Sequence, residues 1–90
     1  MEIIWSPQSL RDLEEVGNFI AKDSALRANK LIKKLTKSLE RLKKFPLSGS
    51  VARENPIFRQ LVEDRYRVIY QCLPKKIYII TVLGPGEDSI

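Results

Sequence analysis

Apolar positions along the chain recur first at helical and then at strand spacing. Glu2-Ile3-Ile4-Trp5 is a short run, β-branched and then aromatic, that reads as a strand. Ser6 and Pro7 come next, a hydroxyl suited to a helix N-cap and a proline suited to the first helical position. Leu10, Leu13, Gly17 and Ile20 follow at three- and four-residue spacing, with Val16 and Phe19 widening the stripe. The spacing predicts an amphipathic helix from about Pro7 to Lys22. Asp23-Ser24 interrupts it and offers a cap to a second helix. In that helix Ala28, Ile32, Leu35, Leu39 and Leu42, joined by Leu31, form the apolar side until Pro46 stops the run. So short a break between two helices predicts an antiparallel helical hairpin.

From Leu47-Ser48-Gly49-Ser50 to Asn55-Pro56 the chain reads as an ordered surface loop. Three strands are expected after it: Phe58 to Val62, Tyr66 to Cys72 and Ile77 to Leu83. Turns around Glu63-Asp64 and Leu73-Pro74-Lys75 separate them. The last run has no polar side, which suggests a central strand covered on both faces. Short intervals imply an antiparallel meander, so the expected fold is α+β in the order β-α-α-β-β-β. The hairpin packs on one face of a small, twisted, mainly antiparallel sheet. An edge beside the last strand is the expected place of the first.

Length limits this to one expected domain, residues 1–90, with a small core. Cys72 is the only cysteine and there is no histidine. Internal disulfides, the usual zinc sites and the Cys–His and Ser–His nucleophile pairs are thereby excluded. Cys72 reads as a buried, inert thiol within its strand. No cofactor or metal is called for. The start of the chain offers no signal-peptide or membrane-spanning run, so a cytoplasmic location is expected.

Charge changes the picture of the second helix. The chain has sixteen Lys and Arg against eleven Asp and Glu, a net charge of +5. Arg27, Lys30, Lys33, Lys34, Lys37, Arg41, Lys43 and Lys44 are half of those cations, opposed on that helix by Glu40 alone. This face is either a solvated surface or a contact for phosphate or an acidic partner, with Lys33, Lys34 and Lys37 as candidates. A second constellation is Arg59-x-Leu61 followed by Tyr66-Arg67-Val68-Ile69-Tyr70. Alternation puts Arg67, Ile69 and Gln71 on one face and Tyr66, Val68, Tyr70 and Cys72 on the other. Arg67 either joins Arg59 in a positive patch or pairs with a carboxylate such as Glu54, Glu63 or Asp64.

Trp5-Ser6-Pro7, Asp12-Leu13, Ile20-Ala21-Lys22-Asp23, Phe45-Pro46 followed by Gly49, Arg59-Gln60-Leu61 and Tyr66-Arg67-Val68-Ile69-Tyr70 occur in that order. Together they resemble the RelE/ParE toxin superfamily of type II toxin–antitoxin modules, over nearly the whole chain up to Leu83. The resemblance implies the fold above, a cognate antitoxin as partner, and one of two targets. RelE-type members are ribosome-dependent mRNA endoribonucleases that use basic side chains and a C-terminal tyrosine. On that reading Arg67 matches the strand arginine, and Arg59, Arg65 and Tyr70 complete the candidates. Where the family commonly has a His or Arg after the last strand, this chain has Gly84-Pro85-Gly86 and an acidic end, Glu87-Asp88. Phe45-Pro46 with Gly49 looks more like the ParE branch, whose members inhibit DNA gyrase by protein contact. The expectation is therefore a ParE-like toxin. The alternatives are a RelE-like ribonuclease, a weakened toxin that only binds its antitoxin, and a plain basic binding module.

Overall fold

The computed structural model describes residues 1–87. Asp88, the far end of the acidic tail, lies outside the described residues together with Ser89 and Ile90. The chain runs β1 (Glu2–Trp5), α1 (Pro7–Ala21), α2 (Ala25–Leu42), β2 (Ser50–Val51), β3 (Arg59–Glu63), β4 (Tyr66–Cys72) and β5 (Lys76–Leu83). The strands form one sheet in the order β1-β5-β4-β3-β2. Its β2–β3, β3–β4 and β4–β5 pairs are antiparallel, and β1 lies parallel to β5 at the edge expected for it. The helix caps are the expected ones. Ser6 Oγ accepts from Ser9 N at the start of α1, and Ser24 Oγ accepts from Arg27 N at the start of α2.

Two differences from the sequence reading have a physical cause. The segment read wholly as loop contains β2, and its Ala52–Phe58 part covers the sheet face opposite the helices. There Ala52 and Phe58 pack on Ile69, Ile80 and Leu83. This strap and the hairpin together give β5 its two covered faces. On α1, Ser9 and Val16 are buried, Leu13, Gly17 and Ile20 are half-buried, and Leu10 of the expected line is exposed. Leu10 is 53% and Phe19 68% exposed, whereas the polar Ser9 is fully buried, donating to Ser6 O at 2.8 Å. A sector only that wide faces the sheet, so the outer members of the apolar stripe stay in solvent.

The main core is Leu31, Leu35, Leu39 and Leu42 of α2 and Val16 of α1 against Val68, Tyr70, Ile77, Ile79 and Val82 of the sheet. At β5 the ladder slips: Ile69 faces Thr81 and Tyr70 faces Ile79, leaving Ile80 as the extra residue of a bulge. The β3–β4 turn places Asp64 at φ 48° and Arg65 at φ 72°, the left-handed pair that a two-residue hairpin of the primed type requires.

Gly17 lies inside α1, and a Cβ there would meet nothing within 4 Å. Gly17→Ala is expected to stabilise the chain by about 0.5–1 kcal/mol, because glycine is a costly helix-interior residue. Urea unfolding of the two proteins measures it, and an unchanged or lowered midpoint would contradict the open space at this position.

Candidate functional site

The basic-strand residues do not converge. Arg59 lies opposite Tyr70 and Val62 opposite Arg67 in the β3–β4 ladder, so strand alternation sends Arg59 and Arg67 to opposite faces. Arg67 occupies the face away from the helices. Its guanidinium makes a bidentate pair with Glu54 at 2.7 Å on both arms and donates twice more to Gln60 Oε1, at 3.0 and 2.6 Å. The side chains of Arg67 and Glu54 are only 12% and 15% exposed. The Arg67 bond holds the Glu54 carboxyl well down, from 4.5 to about 2. Of the two readings open to Arg67, the carboxylate pair is the one formed, and it pins the strap that covers the sheet.

Tyr70 is the hub of the helical face and is fully buried. Its hydroxyl donates to Pro46 O at 3.0 Å and accepts from Gly49 N at 3.0 Å. A Cβ on Gly49 would collide with that hydroxyl and with Gln60 O, so only glycine fits this close approach. Arg59 donates to Gly49 O at 2.8 Å, and the half-buried Cys72 thiol donates to Pro46 O at 3.0 Å. Burial raises the pKa of both Tyr70 and Cys72. The Phe45-Pro46…Gly49 pattern is thus a loop tied down by Tyr70 and Arg59. Arg65 sits exposed at the tip of the β3–β4 turn, apart from the other candidates.

Lys33, Lys34 and Lys37 are all exposed on α2, and Lys34 reaches Asp64 at 3.1 Å. They share no surface with Arg67, because the sheet separates them. A half-exposed pair such as Lys34–Asp64 adds little stability, and the row forms an exposed cationic ridge.

One concave part of the molecule lies apart from these residues, at the end of β5. A groove of about 490 Å³ opens between α1 and the β5 terminus, with Phe19, Tyr66, Val82 and Pro85 among its walls. A second, of about 340 Å³, lies between the helices and the β3–β4 turn and shares Phe19 and Tyr66. Gly84 fits against the Tyr66 ring, where a Cβ would lie 3.2 Å from the nearest ring carbon. Asp12 crosses from α1 to hold the edge of β5. Its Oδ2 accepts from Val82 N at 3.0 Å and from the Thr81 hydroxyl, and Oδ1 accepts from Gln8. Glu87 accepts from Gly84 N at 2.8 Å. Sequence reasoning placed Phe19 in the core stripe and Tyr66 only in a strand, and no spacing rule marks the wall they form. Among the described residues no cluster of His, Cys, Asp or Glu is arranged to hold a metal ion, and no helix is long and apolar enough to cross a membrane.

Two outcomes test the structural roles. Tyr70→Phe leaves Gly49 N without its buried partner and Pro46 O with the Cys72 thiol alone, and is expected to destabilise by about 1–3 kcal/mol, read by thermal and urea unfolding. For Glu54 the folded pKa lies below its ordinary value, so the pair stabilises fully above about pH 4.5 and loses that contribution as pH falls towards 2. Glu54→Gln should flatten this part of the stability–pH curve; an equally steep acid limb in the variant would show that other carboxylates set it.

With this geometry in hand, the comparisons agree. Residues 3–88 match the family described as the ParE toxin of the type II toxin–antitoxin system parDE. A candidate toxin of Sinorhizobium fredii, Y4kP, is 26% identical over 86 residues, spanning 96% of this chain and 90% of that protein. A chromosomal ParDE system from P. aeruginosa contains a chain that superposes with a TM-score of 0.75 at 16% identity. The overlap covers 91% of this chain and 92% of that one, and at that identity it speaks for the fold. The chain belongs to the ParE toxin family of the RelE/ParE superfamily and is the toxin component of a type II toxin–antitoxin module.

Proposed function

We propose that this toxin acts by gripping a protein, DNA gyrase, and that a cognate antitoxin neutralises it by covering part of its surface. One observation carries the reading: of the groups a ribonuclease would use, Arg59, Arg67 and Tyr70 are committed elsewhere, and Arg65 stands apart from them at the β3–β4 turn. Arg67 is paired with Glu54 and Gln60, Arg59 is bonded to loop carbonyls, and Tyr70 is buried under the Pro46–Gly49 loop. Cleaving RNA without histidine requires cations gathered around one phosphate to stabilise its developing charge. The groove at the end of β5 instead has Asp12, Glu15 and Glu87 on its walls against Lys22. Three carboxylates there would repel a phosphate.

On this reading the lysines of α2 serve long-range attraction to an acidic protein surface, not chemistry. Lys33, Lys34 and Lys37 raise the rate of encounter and matter most at low salt. The toxin works in the cytoplasm, where its target is.

The experiment combines a supercoiling assay with purified gyrase and a translating extract in which messenger integrity is followed. Inhibition of gyrase with intact messenger is the expected result. Replacing Lys33, Lys34 and Lys37 together by Glu should weaken inhibition at low salt and much less at high salt. Cut transcripts with gyrase unaffected would restore the ribonuclease. No effect on either would leave antitoxin binding as the remaining activity.

A further inference from the structure

The two grooves meet at Phe19 and Tyr66 and carry opposite charge at their far ends. Towards the β5 terminus, three carboxylates face Lys22 alone. Asp12 is taken up by Val82, Thr81 and Gln8, and one oxygen of Glu87 by Gly84 N. Glu15, with no bond of its own among the described residues, and the second oxygen of Glu87 therefore remain open at that end. Towards the helix turn, Arg27, Lys30 and Lys34 stand against Asp23 and Asp64. Lys34 is paired with Asp64, which leaves Arg27 and Lys30 as the cations available to an incoming group. Between the two ends stands a ring 68% exposed, Phe19, beside the half-buried Tyr66. An aromatic so placed at a groove junction suits an apolar anchor with charges on either side.

We infer that this furrow receives an extended segment of the antitoxin in which a lysine or arginine and a carboxylate flank one large apolar residue. The inference rests on the antitoxin reading above and adds where and by what chemistry the segment is held. The apolar side chain packs on Phe19 and Tyr66. The segment's cation meets Glu15, with its stem along the aromatic wall, and its carboxylate meets Arg27 and Lys30. The segment binds through side chains and not as an added strand, because Asp12 and Glu87 already occupy the outward amides of Val82 and Gly84. RNA is a poor occupant, since its backbone has no cation to offer Glu15.

The test uses the full chain, immobilised, against a display library of random peptides, and in parallel against the antitoxin encoded in its module. Phe19, Glu15 and Lys30 are all exposed, so Phe19→Ala, Glu15→Lys and Lys30→Glu should keep the fold, which circular dichroism checks. Enriched peptides are expected to place a cation and a carboxylate around a large apolar residue. Phe19→Ala should weaken those peptides and the antitoxin by about tenfold or more, the scale of an aromatic anchor. Glu15→Lys should shift selection to peptides without the cation, and Lys30→Glu to peptides without the carboxylate. Enrichment of sequences lacking the charge pair, or no enrichment over Phe19→Ala, would overturn the inference. So would an oligouridylate that competes with the selected peptides. Wild-type chain failing to bind its antitoxin would sink the antitoxin reading itself. Wild type binding the antitoxin with all three variants unchanged would sink only the furrow.

Discussion

β1 offers partners to only the first four residues of an eight-residue strand, and the rest of that β5 edge has to be satisfied some other way. Unpaired backbone groups at a half-covered edge are costly and invite other strands. The chain answers with α1. Ser6 N continues the ladder to Ile79 O at 3.0 Å, Ser6 Oγ takes Ile80 O at 2.8 Å, and Asp12 takes Val82 N at 3.0 Å. One serine thus caps the helix and extends the sheet, and one aspartate six positions on closes the edge. The placement of α1 over β5, and of α2 beside it, follows from these bonds as much as from the leucines beneath.

The opposite face is governed by a different tie. The strap from Ala52 to Phe58 has few apolar contacts of its own, so it relies on Glu54 gripping Arg67, with Gln60 completing the guanidinium's partners. A mid-strand arginine that looks like part of a phosphate site becomes a neutral staple. Tyr70 does the same for the loop after α2, holding Pro46 and Gly49 where Arg59 also reaches them. Most of the residues through which the chain resembles its superfamily are therefore those that hold the fold together. Similarity carried by such residues identifies the family reliably and says little about the target.

What remains open to a partner is left by the residues outside those ties. A chain of net charge +5 places three carboxylates in one groove wall and its lysine ridge on the solvent side of α2. This separation suits a protein that attracts at long range through one surface and discriminates at short range through another. It suits catalysis on a phosphodiester poorly, because Arg59, Arg65 and Arg67 do not converge and the Arg27, Lys30 and Lys34 cluster stands against Asp23 and Asp64.

The sequence by itself determined the helix limits, since Ser6-Pro7, Asp23-Ser24 and Pro46 are local stop and start signals that any context would read alike. It also determined the β3–β5 meander, the face of each β4 side chain, and the family, because these depend on period and order along the chain. Tertiary structure decided what depends on distance between segments. Leu10 and Phe19 fit the helical period, but the sheet beneath α1 covers Ser9, Asp12, Leu13, Val16 and Ile20 and leaves those two exposed. Whether Arg67 met Arg59 or Glu54 turned on the β3–β4 register and on a strap residue thirteen positions before Arg67, which no spacing rule reaches. The furrow at Phe19 and Tyr66 exists because the end of β5, the helix turn and the β3–β4 turn come together there. Its residues are far apart in the chain and carry no motif, so only the folded chain could bring them into view.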